Sequence, residues 1–333
     1  MIIQTSGKFI LAGEHFILYG CPALALPWHS AHLTLTSAPA HPAPEPLALI
    51  EAWQLARSLL SLPKDTGFPF TIHSDIPFGC GFGSSAALCV ALLRAAAYEA
   101  NTPLDDATLI EHATTLEALF HGRSSGLDPA VVVRQTPLRF QIGQPPQPWS
   151  WKLQGVGIVL AVSQEQRKTA VAVERVRHYS QRYPARFEAL LSQARDLIEA
   201  LQTLCASAPT DADQQRTQGR LLGTHLDHNH ALLAEMDISA PHLESLIQCA
   251  RNNGAWGAKL TGAGMGGGMI AVAGLDALPS LAEALHLAGA TTTHVHVPSA
   301  QYAPSSASFA ASETTSKSTS TSEPPKPTRE FSS

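Results

Sequence analysis

The apolar positions of this chain change period several times, and the changes mark out its elements. Residues 9–12 and 16–19 are apolar around a Gly13-Glu14-His15 break, which predicts two strands joined by a polar turn. Residues 37–46 are Pro- and Ala-rich and read as a loop, whereas 47–61 carry apolar residues at helical spacing. Residues 70–73 alternate as a short strand that stops at Asp75-Ile76-Pro77. The stretch 84–100 is dense in Ala and Leu with no breaker, the pattern of a buried helix. A second helix is expected over 105–120, with Asp105 or Asp106 as its cap and Gly122 as its stop. The runs 131–133 and 158–162 read as core strands. Long helical patterns follow near 169–182, 185–206 and 211–235, with a shorter one at 239–253. Residues 259–261 lead into a glycine-rich turn, and 269–272 predict a strand. From Ser305 the chain is Ser/Thr/Pro-rich without large aliphatics, so it cannot bury enough surface to offset its ordering entropy and is expected to be a disordered tail.

Composition narrows the class. At 333 residues the chain is long for one compact core, and one large domain or two smaller ones is expected. An apolar fraction of 44% against 15% charged residues makes a packed core feasible. The net charge of −5, with both signs interspersed, gives no support for a nucleic-acid or anionic-membrane surface. The apolar runs are too short to span a bilayer, and the N-terminus lacks the pattern of a secretory signal. Five widely spaced cysteines without a C-x-x-C pair read as reduced thiols of a cytoplasmic protein.

The strongest local signal is I-P-F-G-C-G-F-G-S-S-A-A at 76–87, between a strand and a helix. Gly79, Gly81 and Gly83 permit positive φ and close approach of amides to an anion. The helix start at Ser84 and Ser85 adds unpaired N–H groups, a positive dipole end and two hydroxyls. The ordinary alternative is a plain helix cap after a tight turn. No G-x-x-x-x-G-K-[ST] loop occurs, and the loose dinucleotide patterns at 81–86 and 262–267 lack the surrounding strand–helix–acid context. Asp128, at the end of H-G-R-S-S-G-L-D, can act as a general base or orient an alcohol, or can simply stabilise a turn. Glu117 shares the apolar stripe of Leu109, Ile110, Ala113, Leu116 and Phe120, so its carboxylate needs a metal ion or a buried salt-bridge partner. Lys8 opens a strand and alone would read as a surface lysine. The run K-L-T-G-A-G-M-G-G-G-M-I has five glycines within 262–268, which implies sharp turning or the close approach of another segment or a ligand. His225, His228 and His230 have poor tridentate geometry on a helix and read as a solvated face.

In order along the chain, these motifs resemble those of the GHMP kinase superfamily, and within it the mevalonate kinase branch. S-G-K-F-I-L-A-G-E-H-F-I-L-Y-G resembles the opening motif, 76–87 the phosphate loop, 121–128 the catalytic-aspartate segment and 259–268 the closing glycine motif. The resemblance implies an α+β fold of two GHMP kinase domains with the active site in the interdomain cleft. The divisions expected are 1–150, 151–300 and a tail at 301–333. It implies Asp128 as catalytic aspartate and Lys8 as its partner. Gly79, Gly81, Gly83, Ser84, Ser85, Gly262 and Gly264 would lie at the nucleotide, and Ser85 and Glu117 would be magnesium ligands. Glu14, His15 and Ser163 would lie on the acceptor side. ATP is the implied co-substrate, Mg²⁺ the implied cofactor and a small-molecule alcohol the partner, with (R)-mevalonate expected first and a homodimer left open. Alternatives are a phosphomevalonate kinase, another sugar or polyol kinase, or a non-catalytic binding protein on the same fold. Departures from the family pattern are Ser6 for proline, Phe82 for leucine, Ser163 for threonine and Met265 for glycine.

Overall fold

Strand β1 (Ile2–Ala12) begins with exposed and buried residues in alternation and is buried without interruption from Thr5 onward. The change comes from its neighbours. β1 pairs antiparallel with β2 (Ala23–Ser37), and α2 (Ser84–Glu99) packs against it. From the far half of the chain, Thr261 Oγ1 accepts from the Ile10 amide at 3.1 Å and donates to the Ile10 carbonyl at 3.0 Å. These coordinates are a computed structural model, which describes residues 1–37, 46–63, 67–121, 124–165 and 169–298. The Gly122 helix stop, nearly all of the Pro/Ala loop and the tail from 301 lie outside the described residues.

β2 also pairs with β3 (Phe70–Ser74) and β4 (Leu138–Phe140), and β4 with β5 (Gln147–Pro148), completing a five-stranded antiparallel sheet. A second, four-stranded sheet runs in the order β7 (Gly257–Leu260), β8 (Gly268–Gly274), β6 (Val156–Val162), β9 (Thr292–His296). Helix α2 is the centre of the first half. Its Ala and Leu residues are buried nearly all round because α1 (Leu47–Leu59), α3 (Asp106–His121), α4 (Leu127–Arg134) and the sheet enclose it. Full burial of Leu88, Leu92 and Leu93 contributes roughly 2 kcal/mol each. In the second half α7 (Ala212–Glu235), α8 (Pro241–Asn252) and α9 (Leu278–Leu287) pack on the sheet, and α5 (Thr169–Arg182) and α6 (Pro184–Ala206) extend that layer. One apolar core runs through both sheets, joining Leu24 and Leu26 to Ile158, Ile270 and Val272, and Trp149, Trp151 and Leu153 belong to it.

Several expectations need correction. Residues 16–19 form a 3₁₀ turn, because positive φ at Gly13 and His15 turns the chain and buries Phe16 and Ile17. The valines at 131–133 lie in helix α4, not a strand. Gly126 in the left-handed region starts that helix, and burial of the valines against neighbouring helices and strands outweighs their β preference. His230 is buried, not solvated: its Nε2 lies 3.0 Å from Glu244 Oε1 across to α8. Among the described residues no helix is long and apolar enough to cross a membrane.

The seam between the sheets carries histidines. His296 of β9 packs edge-on against Phe9 at 5.5 Å between ring centroids, and burial, with His29 nearby, pushes its pKa down to about 4. An unfolded histidine titrates near 6.5, so between about pH 6.5 and pH 4 the unfolded chain binds more protons than the folded one. This contribution to stability is complete above that window and is lost as pH falls through it. Burial also lowers His29, His230 and His294, in the same sense. The melting temperature should therefore fall between about pH 7 and about pH 4.5, less steeply in His296→Gln. A wild-type profile as flat as the variant's would contradict this.

Candidate active site

Lys8 is carried into the interior by the β1–β2 register. Ser6 pairs with His32 but Gly7 pairs with Trp28, so β2 bulges beside it, and Lys8 is 1% exposed. Its backbone N–H donates to the Phe82 carbonyl at 2.9 Å and its Nζ to the Gly81 carbonyl at 3.1 Å. Gly83 lies against its stem: a Cβ there would meet Lys8 Cγ at 2.8 Å, and φ is +81°. Lys8 Nζ is 2.8 Å from Asp128 Oδ2. Asp128 stands in the first turn of α4, and its side chain is 25% exposed, so this carboxylate, unlike the lysine, is open to an incoming molecule.

The phosphate-loop residues lie on the adjoining turn. Gly79, Gly81 and Gly83 all have positive φ, and Gly83 is the left-handed N-cap of α2. No side chain caps that helix, so its first amides point out of the N-terminus with the positive end of the dipole. The Gly79 amide approaches Ser84 Oγ at 3.3 Å, which ties the loop to the helix start.

Glu117 faces inward, as its place on the apolar stripe implies, and is 4% exposed. Ser85 Oγ donates to its Oε1 at 3.3 Å and Ser124 Oγ to its Oε2 at 2.5 Å. Burial, reinforced by the Asp128 charge, raises its pKa to about 7. A buried carboxylate among hydroxyls, next to a second carboxylate, is a hard-oxygen set that suits a magnesium ion. Ser124 has no role in the sequence reading, although it lies in the same H-G-R-S-S-G-L-D segment as Asp128.

From the second half come the closing glycine loop and Ser163. Gly262 and Gly264 have positive φ, and Gly264 is needed because the Ile238 carbonyl would lie 2.2 Å from a Cβ. Met265, at φ 54°, occupies the same left-handed region with a side chain. The Ser163 amide donates to the Gly267 carbonyl at 2.8 Å, and its hydroxyl is held only loosely, 3.5 Å from the Glu165 carbonyl.

Glu14 and His15 join the halves. His15 Nε2 donates to the Ala263 carbonyl at 2.8 Å. Glu14 Oε1 forms an ion pair with Lys259 Nζ, both side chains almost fully buried, while Oε2 has no hydrogen-bond partner among the described residues. Burial raises the Glu14 pKa and lowers that of Lys259, and their attraction opposes both shifts. Lys259, a lysine inside the short buried strand β7, has no role in the sequence reading, although a lone lysine among small and apolar residues is itself a signal. Two surface grooves, one over α5 with Arg175 and Tyr179 and one beside α8, contain none of these residues.

A family model for the GHMP kinases N terminal domain matches residues 48–135, and one for the GHMP kinases C terminal domain matches 214–290. The curated mevalonate kinase of Aeropyrum pernix is 30% identical over 293 residues, covering 80% of this chain and 86% of its own. The chain belongs to the GHMP kinase family. This GHMP kinase is also 28% identical to the Pyrococcus abyssi mevalonate kinase, over 87% of the chain and 93% of the relative. In fold it resembles the crystal structure of L. major mevalonate kinase in complex with R-mevalonate, with a TM-score of 0.76 at 24% identity, covering 90% of this chain and 96% of that one. It is an ATP-dependent small-molecule kinase with a two-domain α+β fold.

Proposed function

We propose that this GHMP kinase transfers the γ-phosphoryl group of ATP to the primary hydroxyl of (R)-mevalonate, giving 5-phosphomevalonate for isoprenoid precursor synthesis. The observation that carries the chemistry is the Lys8–Asp128 pair at 2.8 Å, with Lys8 also bound to the Gly81 and Phe82 carbonyls of the phosphate loop. The names of the most similar relatives carry the choice of acceptor.

Phosphoryl transfer asks a protein chiefly for alignment and charge neutralisation. Asp128, the exposed member of the pair, orients the alcohol and takes its proton. Lys8, 2.8 Å away, fixes the position of the Asp128 carboxylate and offers positive charge to the transferring group. The 79–85 backbone and the α2 N-terminus hold the nucleotide phosphates, with Ser84 and Ser85 at the helix start, and Gly262 and Gly264 of the closing loop also lie at the nucleotide. Glu117 and Ser85, with Ser124 beside them, would hold a magnesium ion, which when bound would supply charge neutralisation for the transfer. Ser163 offers its loosely held hydroxyl to the acceptor. Glu14 and His15 shape the acceptor side by holding Lys259 and the Ala263 carbonyl in place. Domains at 1–150 and 151–300 and a cytoplasmic location go with this activity; a homodimer is left open, and light scattering decides it.

The product decides the matter. Incubation with ATP and racemic mevalonate should consume half of the acceptor and give one new primary phosphomonoester by phosphorus NMR. Release of inorganic phosphate alone, or no acceptor-derived phosphomonoester, would refute the proposal.

A further inference from the structure

Phe82 is 1% exposed although it belongs to a loop assigned to phosphates. Its ring meets elements of both halves. On one side Trp28 of β2 stands edge-on to it, with centroids 5.4 Å apart, and Trp28 in turn meets His294 of β9 at 4.9 Å. On the other side lies Gly268, the first residue of β8. A Cβ at Gly268 would be 2.5 Å from Phe82 Cζ, 2.7 Å from Cε2 and 2.8 Å from the Cys80 carbonyl. Gly268 does not have a positive φ, so its backbone would accept alanine; what excludes a side chain there is the phosphate loop itself.

The backbone of Phe82 is fastened in turn to the catalytic strand. Its carbonyl accepts the Lys8 amide at 2.9 Å, and a Cβ at Gly7 would lie 3.1 Å from the same oxygen. An aromatic ring, a glycine without a side chain and a strand amide in direct contact leave little room for compensation. A shift of the closing glycine loop is therefore passed through the ring to the phosphate loop, and through the carbonyl to Lys8.

We propose that Phe82 is a positioning residue, a strut that sets the distance between the closing glycine loop and the phosphate loop and thereby places Lys8 against Asp128. The proposal rests on the reading of 79–85 as the nucleotide phosphate loop. A bulky aromatic where the family pattern has leucine fixes that distance by its own size.

The test is a double-mutant cycle of Phe82→Leu and Gly268→Ala. Binding of a non-hydrolysable ATP analogue with magnesium is followed by calorimetry, alongside kcat, both KM values and the melting temperature. Gly268→Ala should weaken nucleotide binding by about tenfold or more and lower kcat, since a displacement near 1 Å can cost on the order of a hundredfold, while the acceptor KM changes by less than about threefold. Adding Phe82→Leu should recover at least about fivefold of the lost binding, because the smaller side chain frees the space that the methyl group takes. If Gly268→Ala does not fold, Phe82→Met carries the test. It keeps the volume but not the rigidity, and should raise the ATP KM with a melting temperature near wild type. Additive effects in the cycle, or a lowered melting temperature with unchanged nucleotide binding and kcat, would reduce Phe82 to core packing and overturn the proposal. A wild-type chain that binds no nucleotide would overturn the phosphate-loop reading as well, whereas wild-type binding with an additive cycle overturns the strut alone.

Discussion

Asp128→Asn should lower kcat by about a thousandfold, the middle of the range for loss of a positioned general base. Asparagine keeps the size of the side chain and its place in the first turn of α4, but has no charge with which to take a proton. Lys8 loses its ionic partner at 2.8 Å and keeps the Gly81 carbonyl at 3.1 Å, so the phosphate loop retains its anchor. Affinity for a non-hydrolysable ATP analogue should therefore stay within about threefold of wild type, which places the loss in the transition state. Steady-state ADP release and calorimetric titration measure the two quantities, and a melting curve verifies that the variant is folded. A kcat within about tenfold of wild type would remove Asp128 from the chemistry.

Lys259→Met should destabilise the protein by about 3–5 kcal/mol, the usual cost of breaking a buried ion pair from one side. Glu14 would be left with a carboxylate that is 2% exposed and has no counter-charge in direct contact. Burial already raises its pKa with Lys259 present, and losing the lysine raises it further. The folded variant then binds a proton at Glu14 that the unfolded chain releases near 4.5, so its stability decreases as pH rises above that value. The deficit against wild type should consequently be larger at neutral pH than near pH 5. The double variant Glu14→Leu/Lys259→Met should regain more than about half of the loss, because two apolar groups carry no desolvation cost. Urea denaturation of the three proteins measures this. A single variant as stable as the double one would show that the pair is not the structural link it resembles.

What the sequence discloses here is local. The stripe on α3 places Glu117 inward, and the structure buries it. The Asp105 cap expected for that helix is present, its carboxylate accepting from the Thr108 amide at 2.7 Å. The long strand β2 has no clear strand pattern because Pro27 and the polar His29-Ser30 pair interrupt its apolar run; in the structure Pro27 keeps its register opposite Lys8, and His29 and Ser30 fall in the bulge between Trp28 and His32. The three valines of α4 predict a strand because a short apolar run cannot declare its own period. The links that assemble the site are of another kind. Glu14 finds Lys259 and His15 finds Ala263 about 250 positions away, and Phe82 finds Gly268 across the two halves. No pattern within one segment encodes such a pairing. Phe82 and Met265 stand out from the family motif, yet only the fold shows that one abuts a glycine and the other holds a left-handed turn.

Acceptor-dependent ADP release is the most direct test of the whole reading, run on mevalonate, phosphomevalonate, galactose and homoserine with the wild-type protein. The expected result is turnover of mevalonate, with kcat/KM at least about a hundredfold above each of the others, a ratio that differences in polar contacts can supply. Turnover of galactose, homoserine or phosphomevalonate in place of mevalonate, or nucleotide binding with no ATP consumed on any acceptor, would contradict it.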